Sequence, residues 1–333
     1  MGDSYYFHQN NSLLYPFLKL LSRLAMFVWC RRIIINKPEL LKINGPVLLA
    51  SNHPNSFLDS IVLDTLFKQP IWSLARGDVF KKPLYIKLLT ALKILPVYRT
   101  SEGVENIGEN YRTFDACMDI FKKNGIITIF SEGKCINEWH LRPLKKGTAR
   151  LAIKAWEEGI PVKVFPVGIN YSSFTRFGKN LFIHFGEPVT LSSEEMNGPD
   201  GSRHFAFNNK LNYQLTQLVL EIQQKDKPKQ KALLEIQPSM LKKILLALPA
   251  AIGYLVHFFL YLPIKKFTWN RTNGIDHYDS VLIAILLVVY PFYLVLLIAV
   301  CWIVTQCWWS IFLLLTLPFT AWSYVQLKPQ LDK

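Results

Sequence analysis

Along the chain the hydrophobic pattern changes character twice. Over residues 13–29, Leu14, Phe17, Leu18, Leu21, Leu24, Ala25 and Val28 recur at helical spacing. This predicts a helix with one apolar stripe, with Lys19, Arg23, Arg31 and Arg32 placed to snorkel toward lipid phosphates. An interfacial anchor over residues 1–35 fits the stripe, and so does a helix packed on its own domain. From residue 46 to about 190, short apolar runs alternate with longer periodic segments. Residues 46–50, 71–75, 94–98, 126–130, 162–169 and 181–185 read as strands, and 56–67, 83–92, 104–123 and 145–158 as the helices between them. Strands alternating with helices imply an α/β fold with a mostly parallel sheet flanked by helices, whose ligands sit beyond the carboxyl ends of the strands. A helix over 203–225 closes a domain spanning 36–222, and the polar stretch QQKDKPKQK opens a linker over 223–243.

Beyond the linker the pattern becomes apolar over spans too long for a core helix. At 1.5 Å per residue, a hydrocarbon core of ~30 Å takes about 20 residues. The 45-residue run 281–325, interrupted only by Thr305-Gln306, therefore predicts a transmembrane hairpin over 281–303 and 307–326. The run 244–264 contains Pro249, Gly253, His257 and Pro263. If it spanned, Lys265, Lys266 and Arg271 would lie on the far side, against the positive-inside tendency. A re-entrant or interfacial segment is preferred there to a span.

Composition sharpens this division. Half of the residues are hydrophobic and the mean hydropathy is +0.18, more than a water-soluble enzyme needs. No residue of 281–327 ionises near neutral pH other than Tyr or Cys, whereas the chain up to Met240 holds 31 basic and 21 acidic residues, a net +10. That charge suits an anionic membrane surface, a phosphorylated substrate or a nucleic acid. Nucleic acid is set aside, because the basic residues do not interleave with aromatics and no recognition motif occurs. Cys30, Cys117, Cys135, Cys301 and Cys307 show neither C-x-x-C pairing nor metal spacing, so no disulfide scaffold and no metal site are expected. The N-terminal MGDSYYFHQNN has no basic n-region, and Tyr6 stands where a myristoylation motif needs Ser or Thr. The globular part is accordingly read as cytoplasmic.

The candidate chemistry lies at the predicted strand ends. In Ser51-Asn52-His53-Pro54-Asn55-Ser56-Phe57-Leu58-Asp59, a His just past a strand is followed by a carboxylate on the opening turn of a helix, the arrangement that orients an imidazole as a base. Ser56-x-x-Asp59 is also a capping box, in which Asp59 merely closes a helix N-terminus. The segment alone supports both readings. In Phe130-Ser131-Glu132-Gly133-Lys134, Gly lets backbone approach a ligand, and Glu132 can accept a hydroxyl proton or hold a cation. Arg99, just past a strand, offers a fork for phosphate, and Lys145-Lys146-Gly147 sits at a helix start. Each of these, taken singly, is also an ordinary solvated or turn residue. No Gly-x-Ser-x-Gly elbow occurs, which argues against a serine hydrolase.

Taken in order, Asn52-His53 with Asp59, then Leu95-Pro96-Val97-Tyr98-Arg99, then Phe130-Ser131-Glu132-Gly133, then Val164-Phe165-Pro166-Val167-Gly168-Ile169 resemble the four blocks of the glycerolipid acyltransferase family, which includes the 1-acyl-sn-glycerol-3-phosphate acyltransferases. The resemblance runs from about residue 45 to 190. It implies an acyltransferase domain in which His53 is the general base and Asp59 orients it. It further implies that Arg99, Glu132 and Gly133 bind the acceptor's phosphate and glycerol, and that Pro166 and its neighbours line the acyl-donor side. Asn52, Lys134 and Lys145 join them as candidate substrate-binding residues. The chain departs from the family pattern in four places: five residues rather than four separate His53 from Asp59, Lys93 replaces Gly, Ser131 replaces Pro, and Lys134-Cys135 replaces Thr-Arg. The implied function is a membrane-bound transferase that moves a fatty acyl group from acyl-CoA or acyl carrier protein to the hydroxyl of a lysophospholipid, foremost 1-acyl-sn-glycerol-3-phosphate. Such a reaction needs membrane lipids around it and no cofactor beyond its co-substrate. Glycerol-3-phosphate or a lyso-aminolipid as acceptor, and a non-catalytic lipid-binding scaffold, are the alternatives. The expected localisation is the membrane, with the catalytic domain on its cytoplasmic face.

Overall fold

The computed structural model of the 333-residue chain describes residues 13–98 and 107–332. Its strands are β1 (Cys30–Ile35), β2 (Val47–Ser51), β3 (Ile71–Arg76), β4 (Ile94–Val97), β5 (Ile126–Phe130), β6 (Lys163–Tyr171) and β7 (Lys179–Phe185). They form one sheet in the order β1-β7-β6-β2-β5-β3-β4, parallel at every pairing except the antiparallel β6–β7. The helices in this domain are α1 (Leu14–Trp29), α2 (Phe57–Leu66), α3 (Pro83–Ala91), α4 (Ile107–Lys122), α5 (Gly147–Glu157), α6 (Ser193–Met196), α7 (Asp200–Leu218) and α8 (Lys227–Leu234). Strand β2 is buried on both faces, as its unbroken apolar run requires. Val47 and Leu49 pack with Leu58 and Leu63 of α2 and Trp29 of α1, while Leu48 and Ala50 pack with residues of α4, α5 and α7. The α/β fold with a mostly parallel sheet is therefore as expected.

Residues 1–35 do not all belong to an anchor. The helix ends at Trp29, and the chain continues directly into β1, an edge strand paired with β7 in the sheet. The cations of α1 also have protein partners rather than lipid phosphates. Lys19 Nζ bonds Asp64 Oδ1 and Gln69 O, each at 3.1 Å, and Arg23 donates to the carbonyls of Thr65 and Phe67. Arg23 thereby completes the carboxyl end of α2, where backbone acceptors lack helical partners. Arg31 Nη1 is bonded 2.9 Å from Lys328 O. The outer face of α1 still exposes Phe17, Leu20, Leu24 and Phe27.

Two further elements differ from expectation. The helix expected over 203–225 stops at Leu218, and the chain then runs extended, with Ile222 N donating to Trp139 O at 2.9 Å. The expected linker 223–243 contains α8, capped by the Asp226 side chain and carrying the buried Gln230 and Leu234.

The apolar region consists of α9 (Met240–Thr272), α10 (Tyr278–Thr305) and α11 (Leu313–Leu327), the last preceded by a 3-10 turn over Trp308–Phe312. By length and composition three helical segments, Met240–Thr272, Tyr278–Thr305 and Trp308–Leu327, are able to cross a membrane. Pro249 and Pro263 do not interrupt α9, which is one continuous helix rather than a broken re-entrant segment. Gly253 allows it to meet α11 backbone to backbone, since a Cβ there would lie 2.1 Å from Thr320 O. Both flanks of α9 are nevertheless tied to the sheet domain. Before it, Asn180 donates to Leu234 O, and Gln330 exchanges two hydrogen bonds with the Ile236 backbone. After it, Asn137 N donates to Asp276 Oδ1 at 3.0 Å. The α10–α11 hairpin likewise leaves the domain at Asp279, paired with Lys179, and returns at Lys328.

Candidate active site

The site is built where β2 ends between its two neighbours. Ser51 Oγ donates to Val167 O of β6 at 3.0 Å, and the Asn52 amide grips the Ile169 backbone in both directions, at 3.0 and 2.8 Å. The chain leaving β2 is thus fixed before it reaches His53. The His53 ring stacks on Phe130 from the end of β5, with centroids 4.0 Å apart and planes 11° from parallel. Its Nδ1 lies 2.8 Å from Asp59 Oδ2. Asp59 is fully buried and accepts two more hydrogen bonds, from Asn55 N to Oδ2 and from Tyr171 OH to Oδ1, both 2.8 Å. Burial and the adjacent carboxylate both push the Tyr171 phenol well above its ordinary pKa, so it stays a donor. With Nδ1 committed to a fixed carboxylate, Nε2 is the nitrogen available to a substrate hydroxyl. The His53 side chain keeps 18% of its surface exposed, enough to be reached.

The capping-box alternative is not what forms. Ser56 stands at the N-cap of α2, but its side chain makes no cap bond and instead meets His277 Nδ1 at 2.6 Å. Asp59 turns its carboxylate to His53, Asn55 and Tyr171. Its place on the first turn of the helix aims it at the imidazole.

Three candidate substrate contacts are corrected by the geometry. Glu132 is buried with both oxygens engaged, Oε2 by His53 N at 3.0 Å and Oε1 by Arg142 N at 2.9 Å. It fastens two loops together rather than facing a substrate. Burial raises its pKa, and the two backbone donors partly oppose that. Asn52 is taken up by Ile169, as described. Pro166 is buried within β6 beside Ala50, inside the sheet rather than on a substrate wall.

Gly133, at φ +66°, makes the turn that an L side chain resists, and the Lys145 stem lies over it, 3.1 Å from where a Cβ would stand. Lys134 and Lys145 are exposed and have no ion-pair partner among the described residues. Both lie on the segment between β5 and α5. Arg99 lies outside the described residues. Asn55, Phe130 and Tyr171 complete the site without having been expected. Tyr171 closes a strand whose apolar run gives no sign that its last residue is a donor.

The acyltransferase family model matches residues 32–170, which contain both members of the His53–Asp59 pair and the β5 loop. Residues 32–170 thus resemble an acyltransferase domain, in keeping with a glycerolipid acyltransferase family. Two curated relatives come from Saccharomyces cerevisiae. Glycerol-3-phosphate O-acyltransferase 1 is 28% identical over 110 residues, 32% of this chain and 14% of that protein. Glycerol-3-phosphate O-acyltransferase 2 is 28% identical over 88 residues, 26% of this chain and 12% of that protein. The chain thus covers only a small part of the length of these relatives. Among solved structures, the 1-acyl-sn-glycerophosphate acyltransferase PlsC from Thermotoga maritima aligns over 62% of this chain and 80% of that one, at 15% identity and a TM-score of 0.42.

Proposed function

We propose that this acyltransferase moves a fatty acyl group from acyl-CoA or acyl carrier protein to the free hydroxyl of 1-acyl-sn-glycerol-3-phosphate at a membrane. The observation that carries the reading is the imidazole of His53 set against the buried, triply bonded carboxylate of Asp59. His53 Nε2 takes the hydroxyl proton as the oxygen attacks the thioester carbonyl, and Asp59 holds the imidazolium that forms. Collapse of the tetrahedral intermediate breaks the C–S bond, and the departing thiolate recovers the proton from His53. A thioester is already activated, so no covalent enzyme intermediate and no cofactor are needed. Lys134 and Lys145, with Arg99, supply cations for the acceptor's phosphate.

A cavity of about 240 Å³ opens between α1, α2 and α10, walled by Leu18, Met26, Phe57, Leu58, Ile283 and Leu287. Phe57 and Leu58 start the helix that carries Asp59, and in this reading the cavity takes the acyl chain. The exposed apolar face of α1 and the apolar helices support a domain held at a membrane surface. In this reading α10 and α11 span as a hairpin, while α9, tied to the domain at both flanks, stays on the near side, and the catalytic domain and chain end face the cytoplasm. The names of the yeast relatives favour a second reading, with glycerol-3-phosphate as acceptor.

An acceptor panel tests this. The purified protein in lipid vesicles is given labelled acyl-CoA or acyl carrier protein with lysophosphatidic acid, glycerol-3-phosphate or a lyso-aminolipid. Lysophosphatidic acid is expected to give the highest kcat/KM. A preference for glycerol-3-phosphate would shift the reading to the second acceptor, and no transfer from either donor to any acceptor would defeat both.

A further inference from the structure

The loop between His53 and Asp59 holds an unfavourable backbone. Ser56 sits at φ 54° and ψ −138°, a conformation that is strained for an L residue and persists only where its surroundings over-determine it. Those surroundings come mainly from the N-cap and first turn of α10, more than two hundred residues away. His277 Nδ1 meets Ser56 Oγ at 2.6 Å. Ser280 Oγ donates to Asn55 O at 3.2 Å and accepts from Leu58 N at 3.3 Å. Asp279 Oδ2 accepts from Asn55 Nδ2 at 2.8 Å and is paired with Lys179, both side chains being fully buried. From the other side, Ser56 N donates to Cys135 Sγ at 2.8 Å, and Ile136 N to His53 O at 3.2 Å.

The position of Asn55 matters most. Its backbone N–H donates to Asp59 Oδ2, the oxygen that also holds His53 Nδ1. Asp279 fixes Asn55, Asn55 fixes that oxygen, and the oxygen fixes the imidazole. We propose that His277, Asp279 and Ser280 are positioning residues for the transfer reaction, so that the opening of α10 clamps the catalytic loop in its working shape. The membrane helices then do more than anchor: the domain lacks a rigid His53 without them. This rests on the acyl-transfer reading of His53, because positioning has meaning only if that imidazole reacts.

The test uses the full chain in lipid vesicles. His277 is exposed, so His277→Ala removes the bond to Ser56 with little loss of packing. His277→Asn keeps a polar atom where Nδ1 stood. Ser280→Ala releases Asn55 and Leu58 by a separate route. Misplacing a catalytic group by about 1 Å costs on the order of 10²-fold. We therefore expect His277→Ala and Ser280→Ala to lower kcat by about 10- to 100-fold with both KM values within about twofold of wild type. His277→Asn should recover most of the loss. Peptide-level alkylation of Cys135 by N-ethylmaleimide gives a readout without turnover: the thiol should react faster in His277→Ala and at the wild-type rate in His277→Asn. Unchanged kcat in both alanine variants would overturn the proposal, and so would a loss matched by lowered thermal stability that His277→Asn does not restore. If the wild-type protein transfers no acyl group, the acyl-transfer reading falls, and Cys135 protection alone decides whether the clamp exists.

Discussion

At the residue scale, the arrangement turns on three donors converging on one buried carboxylate. Replacing Asp59 by Asn removes the charge that steadies an imidazolium and turns an amide N–H₂ toward a site where every neighbour donates. One donor is then left unsatisfied, at about 1–3 kcal/mol. Asp59→Asn should therefore lower kcat by about 10²- to 10⁴-fold and also lower the melting temperature; near-full activity with lost stability would show that Asp59 only supports the helix. His53 and Asp59 were legible in the sequence because a strand-end His and a carboxylate on the next helical turn are close in the chain. Tyr171 was not, since it reaches Asp59 from 112 residues away. Glu132 was located correctly but not aimed correctly. Sequence places a residue at a strand end, while the direction of its carboxylate depends on which backbone N–H groups the fold leaves unpaired there, here those of His53 and Arg142.

At the element scale, the central strands and the helices between them lie within a few residues of expectation, because burial on both faces demands unbroken apolar runs. β1 escaped notice because CRRIII follows a helix without a break and carries two arginines after its first residue, one of which is buried and bonded to Lys328 O. The prolines of α9 were read as breaks. The helix nevertheless continues through them, packed on α11 at Gly253, a contact no local pattern reveals. The tethered flanks of α9 carry a topological prediction. In intact cells, a membrane-impermeant maleimide should label Trp308→Cys, at the far end of the α10–α11 hairpin, and should reach Arg271→Cys only after permeabilisation. Labelling of Arg271→Cys from outside would show that α9 crosses the membrane.

At the scale of the whole molecule, a basic α/β domain and a largely apolar helical module meet at the active-site loop, through Asn55–Asp279 and Ser56–His277. The charge division and the apolar tail were plain in the sequence. Their junction at Asn55 and Ser56 was not, because it depends on contacts between segments more than two hundred residues apart. The most direct measurement of the central claim is acyl transfer from labelled acyl-CoA to lysophosphatidic acid by the wild-type protein and by His53→Ala, both reconstituted in vesicles. The wild-type protein should form labelled diacyl product, and His53→Ala should lose about 10²- to 10⁴-fold in kcat while keeping its melting temperature and membrane association; a His53→Ala protein that turns over at the wild-type rate would contradict the account.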